Sequence, residues 1–376
     1  MDLSIVIPAL NEASSLPHVI KAARRGLKKL KVKSEIIVVD NGSTDATPKV
    51  ARRFGARVIT EKQKGYGYAL RSGIRSAKGK KIIIGDADGS YDLSKLRPFY
   101  DKLHQGYDLV MGSRLRGIIY PGAMSRLHRY IGTPVLTFLL NFLFKIRITD
   151  LNCGMRGFNR KLFLELKCRT GGMEFASEMI IKAALAKLNI YEVPCDLYPD
   201  ERKTESHLNT WSDGWRHLRL ILLLSPSFLF FTPGILFTIT GVCGFILIPN
   251  HIFFLDQKHL ISSLVLLLIG SQILQFGFIA KVFSYLKIYK YTHKFILFLI
   301  KQFTLERGLL CGNFFIMVGV LGLLFLLFTF LKIIPISFSD ILLRFKTALA
   351  AIASLMIGLQ IVFTSFVLGI IQIEVD

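Results

Sequence analysis

The chain has 376 residues, of which 52% are hydrophobic and 20% are charged, and its mean hydropathy of +0.46 is too apolar for an ordinary soluble protein. Its formal net charge is +22, of which the residues up to 227 carry +17 and the remainder carries +5. This segregation predicts a basic domain followed by a membrane region, where basic side chains would lie against anionic lipid. The sequence has no zinc-finger spacing, RNA-binding aromatic signature or basic tail, so we expect no nucleic-acid partner.

The five cysteines are odd in number and include no C-x-x-C pair, which supports neither a disulfide framework nor a cysteine metal site. We expect a reducing, cytoplasmic setting for the first three. The chain opens with the strand-like run MDLSIVIPALNE and shows no signal peptide, so we expect the first domain to stay on the side of the membrane where it is made.

Short runs of isoleucine and valine alternate with helical patterns along the first 112 residues. The strand-like runs are 3–8, 34–40, 56–60, 81–85 and 108–113. Continuous apolar strands between helices are typical of a sheet that is buried on both faces, which predicts an α/β fold with a parallel sheet. Ligands bind beyond the carboxyl ends of the strands in such sheets, and Asn11, Glu12, Asp40, Asp86 and Asp88 lie there.

Two segments after this region combine basic and apolar residues. Residues 123–146 begin with arginines, are interrupted by Pro134 and end in the apolar run VLTFLLNFLF. Residues 211–227 contain both tryptophans of the chain, and tryptophan favours the boundary between water and lipid. We predict that both segments form helices in the membrane interface, with a buried core helix as the alternative for residues 123–146.

Four apolar runs follow, at 228–248, 260–283, 309–331 and 348–373. Each has about 20 residues, which is long enough to cross about 30 Å of hydrocarbon. The 284–308 connection carries five basic residues and the 249–259 connection carries one, which predicts a cytoplasmic first domain, although 332–347 carries three. We therefore predict a domain at 1–210, an interfacial helix at 211–227 and a transmembrane domain of four helices at 228–376.

Two acidic residues carry the strongest chemical signal. Asp86 and Asp88 follow the apolar run KKIIIG, and residues two apart in an extended backbone point the same way. Two close carboxylates repel each other unless a cation neutralises them, and their oxygens suit Mg²⁺ or Mn²⁺. We predict a divalent metal that binds a nucleotide diphosphate here. The D-x-D pattern alone is common, and a polar loop at the end of a strand would also explain it.

Three other turns are candidates for ligand binding. Asp40 ends a strand in VVDNGSTD and could accept hydrogen bonds from a base or a ribose, although Asn-Gly-Ser also forms a turn by itself. Asn11 lies in the first strand-to-helix turn, where it could also cap a helix. The glycine-rich segment KGYGYALRSG, which begins at Lys64, opens a helix whose first amides favour phosphate.

In this order and spacing, PALNE, VVDNGSTD, KGYGYALRSG and GDADGS resemble the inverting family 2 glycosyltransferases of the GT-A fold. The resemblance covers about the first 210 residues and includes Gly112-Ser113-Arg114 and the segments DLNCGMRGF from Asp150 and GMEFASE from Gly172. Within the family, the chain is most similar to polyprenyl-phosphate glycosyltransferases, namely dolichyl-phosphate mannose and glucose synthases and undecaprenyl-phosphate glucosyltransferases.

This resemblance implies a fold, two substrates and a cofactor. The fold would be a GT-A (Rossmann-like) nucleotide-sugar domain followed by interfacial helices and an all-α transmembrane region. The donor would be a UDP- or GDP-linked sugar, the cofactor Mg²⁺ or Mn²⁺, and the acceptor a polyprenyl phosphate. Assembly of the chain into a homo-oligomer is compatible with this resemblance. Independently of the resemblance, we expect the membrane to be a bacterial or archaeal cell membrane.

The resemblance also implies roles for individual residues. The donor-binding set is Pro8, Ala9, Asn11, Glu12, Asp40, Lys64, Asp86 and Ala87. The metal-binding set is Asp86, Asp88 and Ser90, where Ser90 stands in the place of a glutamine found in many relatives. The acceptor-phosphate set is Ser113, Arg114, Arg126, Arg129 and Arg202, and the catalytic set is Asp88, Arg114 and Arg202. The family's late R-x-x-G-x-S-K element is only partly present, since Glu205, Ser206 and His207 follow Arg202.

A phosphate acceptor also makes chemical sense. A phosphate monoester has a second pKa of about 6, so it is largely ionised and needs no general base. Arginine binds phosphate in a bidentate fork, although attraction to anionic lipid would equally explain any single exposed arginine. We predict an inverting transfer that gives a lipid-linked monosaccharide at the cytoplasmic membrane face.

Three other functions remain open at this stage. A processive polysaccharide synthase would resemble its relatives in a Q-x-x-R-W element, which this sequence lacks. Transfer to a neutral lipid would require a general base, for which Glu178 or His207 is a candidate. A non-enzymatic membrane scaffold or flippase partner would not need to retain Asp86, Asp88 and Arg114.

Overall fold

The computed structural model describes residues 1–201, 210–247, 253–288, 298, 302–331 and 341–373. The chain forms two compact units, Met1–Ile221 and Leu222–Asp376.

The described part of the first unit is built on one seven-stranded sheet. Its strands are β1 (Leu3–Ala9), β2 (Ser34–Asp40), β3 (Arg57–Thr60), β4 (Lys81–Ile84), β5 (Leu109–Ser113), β6 (Arg156–Asn159) and β7 (Ile190–Pro194). They lie in the order β3-β2-β1-β4-β6-β5-β7. Every residue of β1 is buried, as expected for a strand that helices cover on both faces.

Eight α-helices of the described chain begin in the first unit. They are α1 (Leu16–Leu30), α2 (Thr47–Arg53), α3 (Tyr66–Ser76), α4 (Arg97–His104), α5 (Thr133–Phe144), α6 (Arg160–Leu166), α7 (Phe175–Leu185) and α8 (Thr210–Leu223). A π-helical turn, His128–Gly132, leads into α5. Helices α1, α2, α4 and α5 each have proline in the first turn, where its fixed φ suits the helix and its missing N–H costs no hydrogen bond.

The sheet is mixed, so the prediction of a parallel sheet is wrong at one strand. β6 runs antiparallel to both of its neighbours, β4 and β5, with Arg156 opposite Ile84 and Met111. The amino end of an antiparallel strand lies beside the carboxyl ends of its neighbours. The reversal of β6 therefore brings the segment before it, residues 150–155, to the edge of the sheet where Asp86 and Arg114 follow β4 and β5.

The second unit consists of long apolar helices. They are α9 (Thr232–Leu247), α10 (Phe253–Phe283), α11 (Leu305–Phe330) and α12 (Ile341–Ile373), with π-helical turns at Ser227–Phe231 and Ser284–Ile288. Four spans among the described residues are long and apolar enough to cross a membrane, namely Ser227–Leu247, Gln257–Leu286, Leu305–Phe330 and Arg344–Ile371. The chain is therefore an integral membrane protein.

Glycines and polar side chains hold these helices together. A Cβ atom on Gly319 of α11 would lie 2.7 Å from the Ala351 carbonyl oxygen, so the helix backbones touch there. Gln275 of α10 donates to Gln360 of α12 over 3.2 Å, and Thr364 donates to Gln275 over 2.7 Å. Small residues and interhelical hydrogen bonds are typical of contacts between membrane helices.

Candidate active site

Three adjoining cavities lie at the carboxyl ends of β1, β2, β4 and β5. We name them the sheet cavity, of about 320 Å³, the central cavity, of about 300 Å³, and the apolar groove, of about 480 Å³. Asp86 and Asp88 line both the sheet cavity and the central cavity, and Arg114 lines both the central cavity and the apolar groove. The sheet cavity and the apolar groove also share Met173 and Asp213, so each of the three cavities adjoins the other two, with charged residues at every junction.

Asp86 is fixed from two sides. The Tyr66 hydroxyl donates to its Oδ1 over 3.0 Å, and burial followed by the charge of Asp86 raises the pKa of Tyr66, so Tyr66 keeps its proton. A Cβ atom on Gly154 would lie 2.1 Å from Asp86 Oδ2, so any other residue here would displace the Asp86 carboxylate. Gly154 belongs to the segment that the reversed strand β6 brings to the site.

Asp88 is oriented by its own loop. The Ser90 hydroxyl and amide both donate to Asp88 Oδ1, over 2.6 and 2.9 Å. The amide of Glu201 donates to the Asp88 carbonyl over 2.9 Å, which ties residue 201 to the loop. The Ser90 hydroxyl proton thus points at Asp88, and the role of Ser90 as a metal ligand stays a prediction.

The two carboxylates fit a divalent metal. Among the described residues, no group of three or more His, Cys, Asp or Glu side chains could hold a metal ion by itself. Mg²⁺ is usually bound by one or two carboxylates together with water and substrate phosphates. Asp86 and Asp88 therefore suit an ion that completes its coordination with phosphate oxygens of a ligand.

Arg114 forms a buried ion pair with Asp150. Its Nε and Nη2 donate to the two oxygens of Asp150 over 2.6 and 2.8 Å, and its backbone amide donates to Oδ2 over 3.0 Å. Burial raises the pKa of Asp150, but the charge and hydrogen bonds of Arg114 outweigh burial and hold that pKa below its usual value. No hydrogen bond from the described residues engages Nη1, which is the guanidinium nitrogen left to meet a ligand.

Arg156 is a second buried cation, and its partners are carbonyl groups. Its guanidinium donates to the carbonyl oxygens of Cys153, Ala176 and Leu151 over 2.9, 2.6 and 2.6 Å. Burial lowers the pKa of Arg156. The residue lines the central cavity and connects the segment before β6 to α7, which gives this arginine of the DLNCGMRGF segment a structural role.

The apolar groove lies between the His128–Gly132 turn with α5 on one side and α8 on the other. Its lining includes Leu127, Ile131, Val135, Leu136, Trp211, Trp215 and Leu218. Arg114 and His128, which also line the central cavity, are the groove's basic residues at that junction. The groove can therefore hold an apolar chain whose anionic end points toward Arg114.

Six of the eight predicted donor-binding residues line the sheet cavity, namely Pro8, Ala9, Glu12, Lys64, Asp86 and Ala87. The other two are not in its lining. Asn11 Oδ1 accepts from the Thr44 amide over 2.8 Å, and Asp40 Oδ1 accepts from the Ser43 amide over 3.2 Å, so both organise the neighbouring turn.

Asn41, which the sequence predicts only as part of a turn, lines the sheet cavity in the place expected for Asp40. Its Oδ1 accepts from the Gly65 amide over 2.7 Å, and its Nδ2 donates to the Gln63 carbonyl over 2.8 Å. Asn41 therefore fixes the glycine-rich turn that precedes α3. Asn41 follows β2 directly, and this position in the sequence could have identified it as a candidate for ligand binding.

Of the predicted acceptor-phosphate residues that the structure describes, Arg114 lines two of the three cavities and the others line none. Ser113 is buried and its hydroxyl lies 2.6 Å from Thr149 Oγ1, while Arg126 and Arg129 are exposed. His128, between these two arginines, lines both the central cavity and the groove, and sequence reasoning missed it. Arg202 and His207 lie outside the described residues.

We expect His217 of α8 to make the folded chain sensitive to acid. Its buried ring places Nδ1 2.6 Å from Ser177 Oγ, and burial, followed by the nearby charge of Arg156, lowers its pKa to about 4. The unfolded chain, with an ordinary histidine pKa of about 6.5, binds the extra proton first, so stability falls as the pH drops from about 6.5 to about 4. The loss attributable to His217 is about 3 kcal/mol.

The loss can be measured by comparing the thermal stability of wild type and His217→Gln at a series of pH values from above 6.5 to below 4. Wild type should lose more stability than the variant within that window, and the two should run parallel below about pH 4. Parallel curves over the whole range would contradict the assignment.

The comparisons with known proteins cover both units. The sequence model of Glycosyl transferase family 2 matches residues 4–167, and that of the glycosyltransferase family 2 C-terminal transmembrane region matches residues 278–372. The low-salt glycan biosynthesis hexosyltransferase Agl6 of Haloferax volcanii is 35% identical over 376 residues, with 98% of this chain and 88% of that protein covered. A dolichyl-phosphate hexose transferase of the same organism is 32% identical over 215 residues, with 57% of this chain and 89% of that protein covered.

Solved structures show a more distant similarity. Glucosyl-3-phosphoglycerate synthase from Mycobacterium tuberculosis, in complex with Mn²⁺, UDP and glucosyl-3-phosphoglycerate, is 22% identical with a TM-score of 0.45. The alignment covers 59% of this chain and 78% of that chain.

Proposed function

We propose that this chain, which belongs to glycosyltransferase family 2, transfers a sugar from a nucleotide to a polyprenyl phosphate by an inverting reaction. Family membership confirms the predicted GT-A, Rossmann-like domain followed by transmembrane helices, and it establishes the chain as a glycosyltransferase. The observation that carries the acceptor proposal is the apolar groove, which meets the central cavity, lined by Asp86 and Asp88, at Arg114.

The donor would occupy the sheet cavity. Residues at the ends of β1 and β2 would contact the nucleoside, and the diphosphate would lie near Asp86 and Asp88. A divalent ion held by these two carboxylates would supply positive charge to the departing diphosphate. The first carbon of the sugar would then face the central cavity.

The acceptor would enter from the groove. Its polyprenyl chain would contact the apolar side chains of α5 and α8, and its phosphate would meet Nη1 of Arg114 near His128. Asp150 holds the other guanidinium nitrogens, so Arg114 presents its charge in a fixed direction. The relative named dolichyl-phosphate hexose transferase agrees with an acceptor of this class.

In the proposed reaction, an ionised phosphate oxygen of the acceptor attacks the first carbon of the sugar in line with the bond to the diphosphate. That bond breaks, and the nucleoside diphosphate leaves with the electron pair. The product is a monosaccharide joined to the lipid through a phosphodiester. The chain's own contribution is alignment and fixed charge, because the attacking oxygen already lacks its proton.

The competing acceptor, a neutral lipid, would need a general base. Glu178 lines none of the three cavities; instead it accepts hydrogen bonds from Thr170 over 2.6 and 2.8 Å and pairs with Lys182 at 2.7 Å. Burial raises the pKa of Glu178, but Lys182 and Thr170 outweigh burial and keep that pKa low. These contacts favour a structural role for Glu178, which removes one of the two candidate bases for a neutral-lipid acceptor.

We also propose that the first unit faces the cytoplasm and that the segment 123–146 and α8 lie in the membrane interface. Exposed apolar side chains support the interfacial position, since Trp211 is 81% exposed and Tyr130 and Phe138 are each 66% exposed. The orientation rests on the basic residues in the connections between spans.

A charged substitution in the groove tests the acceptor site. Ile131→Asp should raise the KM for a long-chain polyprenyl phosphate about tenfold or more, because it removes apolar contact and places a negative charge in the path of an anionic lipid. The KM for the donor should stay unchanged. Both constants are measured with the full chain in detergent.

The matched control is Leu164→Asp, which makes the same kind of change at an exposed position of α6, outside the groove and outside the two segments proposed to lie in the interface. It should leave both KM values unchanged. Equal acceptor KM values for wild type and Ile131→Asp would contradict the groove as the acceptor site. Equal rates with polyprenyl phosphate and unphosphorylated polyprenol would contradict the phosphate acceptor.

A further inference from the structure

Helix α8 contributes two charged residues, Asp213 and Arg216, to the lining of the sheet cavity. The other lining residues come from the sheet edge, from the glycine-rich turn and from Gly172 and Met173. The proposed donor site is therefore completed by a helix that lies more than a hundred residues after Asp88 in the sequence.

The side chains that line the sheet cavity carry more negative than positive charge. Its lining includes the acids Glu12, Asp86, Asp88 and Asp213, against the cations Lys64 and Arg216. A nucleoside diphosphate would bring further negative charge. Arg216 is thus one of two lining side chains that could neutralise it directly, and its planar guanidinium can bind phosphate in a bidentate manner.

Arg216 makes only a weak contact with Asp213. Its Nη1 lies 3.4 Å from Asp213 Oδ1, and the side chain of Arg216 is 51% exposed. A long contact from a half-exposed arginine holds the guanidinium only weakly. A diphosphate could therefore replace Asp213 as the partner of Arg216 at little cost.

The register of α8 is fixed by its buried face. His217, the next residue, lies 2.6 Å from Ser177 Oγ, and Ile221 is fully buried. Trp211 and Trp215 remain exposed along the helix. Arg216 is consequently held on the side of the helix that meets the sheet cavity and cannot turn away without breaking the contacts of His217.

We propose that Arg216 is a donor-binding residue that contacts the terminal phosphate of the nucleoside diphosphate, with Asp213 holding its guanidinium when the site is empty. This inference rests on the proposed function, because it takes the sheet cavity as the donor site. It connects donor binding to the helix that carries both tryptophans of the chain.

The same two tryptophans provide the measurement. They are the chain's complete set, so intrinsic tryptophan fluorescence of the full chain in detergent reports on α8 alone. Titration with UDP and with GDP, each in the presence of Mg²⁺, gives a dissociation constant for wild type. Arg216→Ala should weaken binding of the nucleoside diphosphate about 10- to 100-fold, the range for a lost hydrogen-bonded charge contact.

Three comparisons separate a phosphate contact from a structural effect. Arg216→Ala should bind UMP or GMP as wild type does, because those nucleotides lack the terminal phosphate. Arg216→Lys should recover part of the affinity for the diphosphate. Arg219→Ala, which removes the same charge from an exposed position of α8 outside the cavity, should bind all of these nucleotides as wild type does.

Equal diphosphate affinities for wild type and Arg216→Ala would overturn the inference and leave the proposed function intact. Equal losses of diphosphate and monophosphate affinity would also overturn it, because they would indicate a disturbed helix. If wild type bound neither UDP nor GDP in the presence of Mg²⁺, by fluorescence or by equilibrium dialysis, the proposed donor site itself would be refuted.

Discussion

Asp88→Asn should reduce sugar transfer by about 10³-fold or more, since it removes one of two carboxylates for a metal whose charge stabilisation is worth several kcal/mol. The substitution is chosen to preserve the fold. An asparagine Oδ1 can still accept the hydrogen bonds that the Ser90 hydroxyl and amide donate to Asp88. The rate is measured as label transferred to lipid, and the melting temperature should stay close to that of wild type.

The matched control for this variant lies in the same loop. Asp92 accepts a hydrogen bond from the Ser94 amide over 2.9 Å and lines none of the three cavities. Asp92→Asn makes the same chemical change and should keep near wild-type activity. Transfer by Asp88→Asn within tenfold of wild type would contradict a role for Asp88 in catalysis.

The buried pair of Arg114 and Asp150 should give the largest effect on stability. Asp150→Ala leaves the guanidinium of Arg114 without its partner in a site where the arginine side chain is only 13% exposed and the aspartate is fully buried. Loss of one partner of a buried pair costs about 3–5 kcal/mol, because the remaining charge is not compensated. Arg114→Ala should cost a similar amount for the same reason.

A double-mutant cycle measures this coupling directly. Removing both partners should cost less than the sum of the two single changes, with a coupling of about 0.5–3 kcal/mol. The exposed pair of Arg97 and Asp101 is the control, and Asp101→Ala should change the free energy of unfolding by less than about 1 kcal/mol. Additive effects at Arg114 and Asp150 would show that the pair does not act as a unit.

The ends of the strands could be predicted from the sequence because buried parallel strands appear as continuous runs of apolar residues. The runs of isoleucine and valine located β1, β2 and β4, and the acids after them fell at the edge of the sheet. Within such a turn, however, one residue of offset decides which side chain meets the cavity. Asp40 and Asn41 are adjacent, and successive side chains in extended backbone point to opposite sides.

The reversal of β6 could not be predicted from its own residues. The strand has four residues, RGFN, whose arginine, glycine and asparagine give no apolar pattern. Its direction depends on pairing with β4 and β5, which are distant in the sequence. That pairing is what brings Asp150 to Arg114 and Gly154 to Asp86.

The contribution of α8 was also beyond sequence reasoning. The tryptophans predicted a helix at a membrane interface, but an amphipathic pattern does not say what the polar face contacts. That pattern therefore assigned no ligand contact to Asp213 or Arg216. Their place in the sheet cavity follows from the packing of His217 and Ile221 against the first unit.

The central claim is transfer of one sugar to a polyprenyl phosphate, and radiolabel transfer by the purified chain of 376 residues tests it most directly. The assay combines Mg²⁺ or Mn²⁺, undecaprenyl or dolichyl phosphate and a panel of UDP- and GDP-linked sugars. We predict a labelled lipid with one donor, carrying a single sugar on the phosphate, and no labelled lipid with Asp88→Asn. If no donor labels either polyprenyl phosphate although the protein binds a nucleotide, the acceptor is of another class and the claim is wrong.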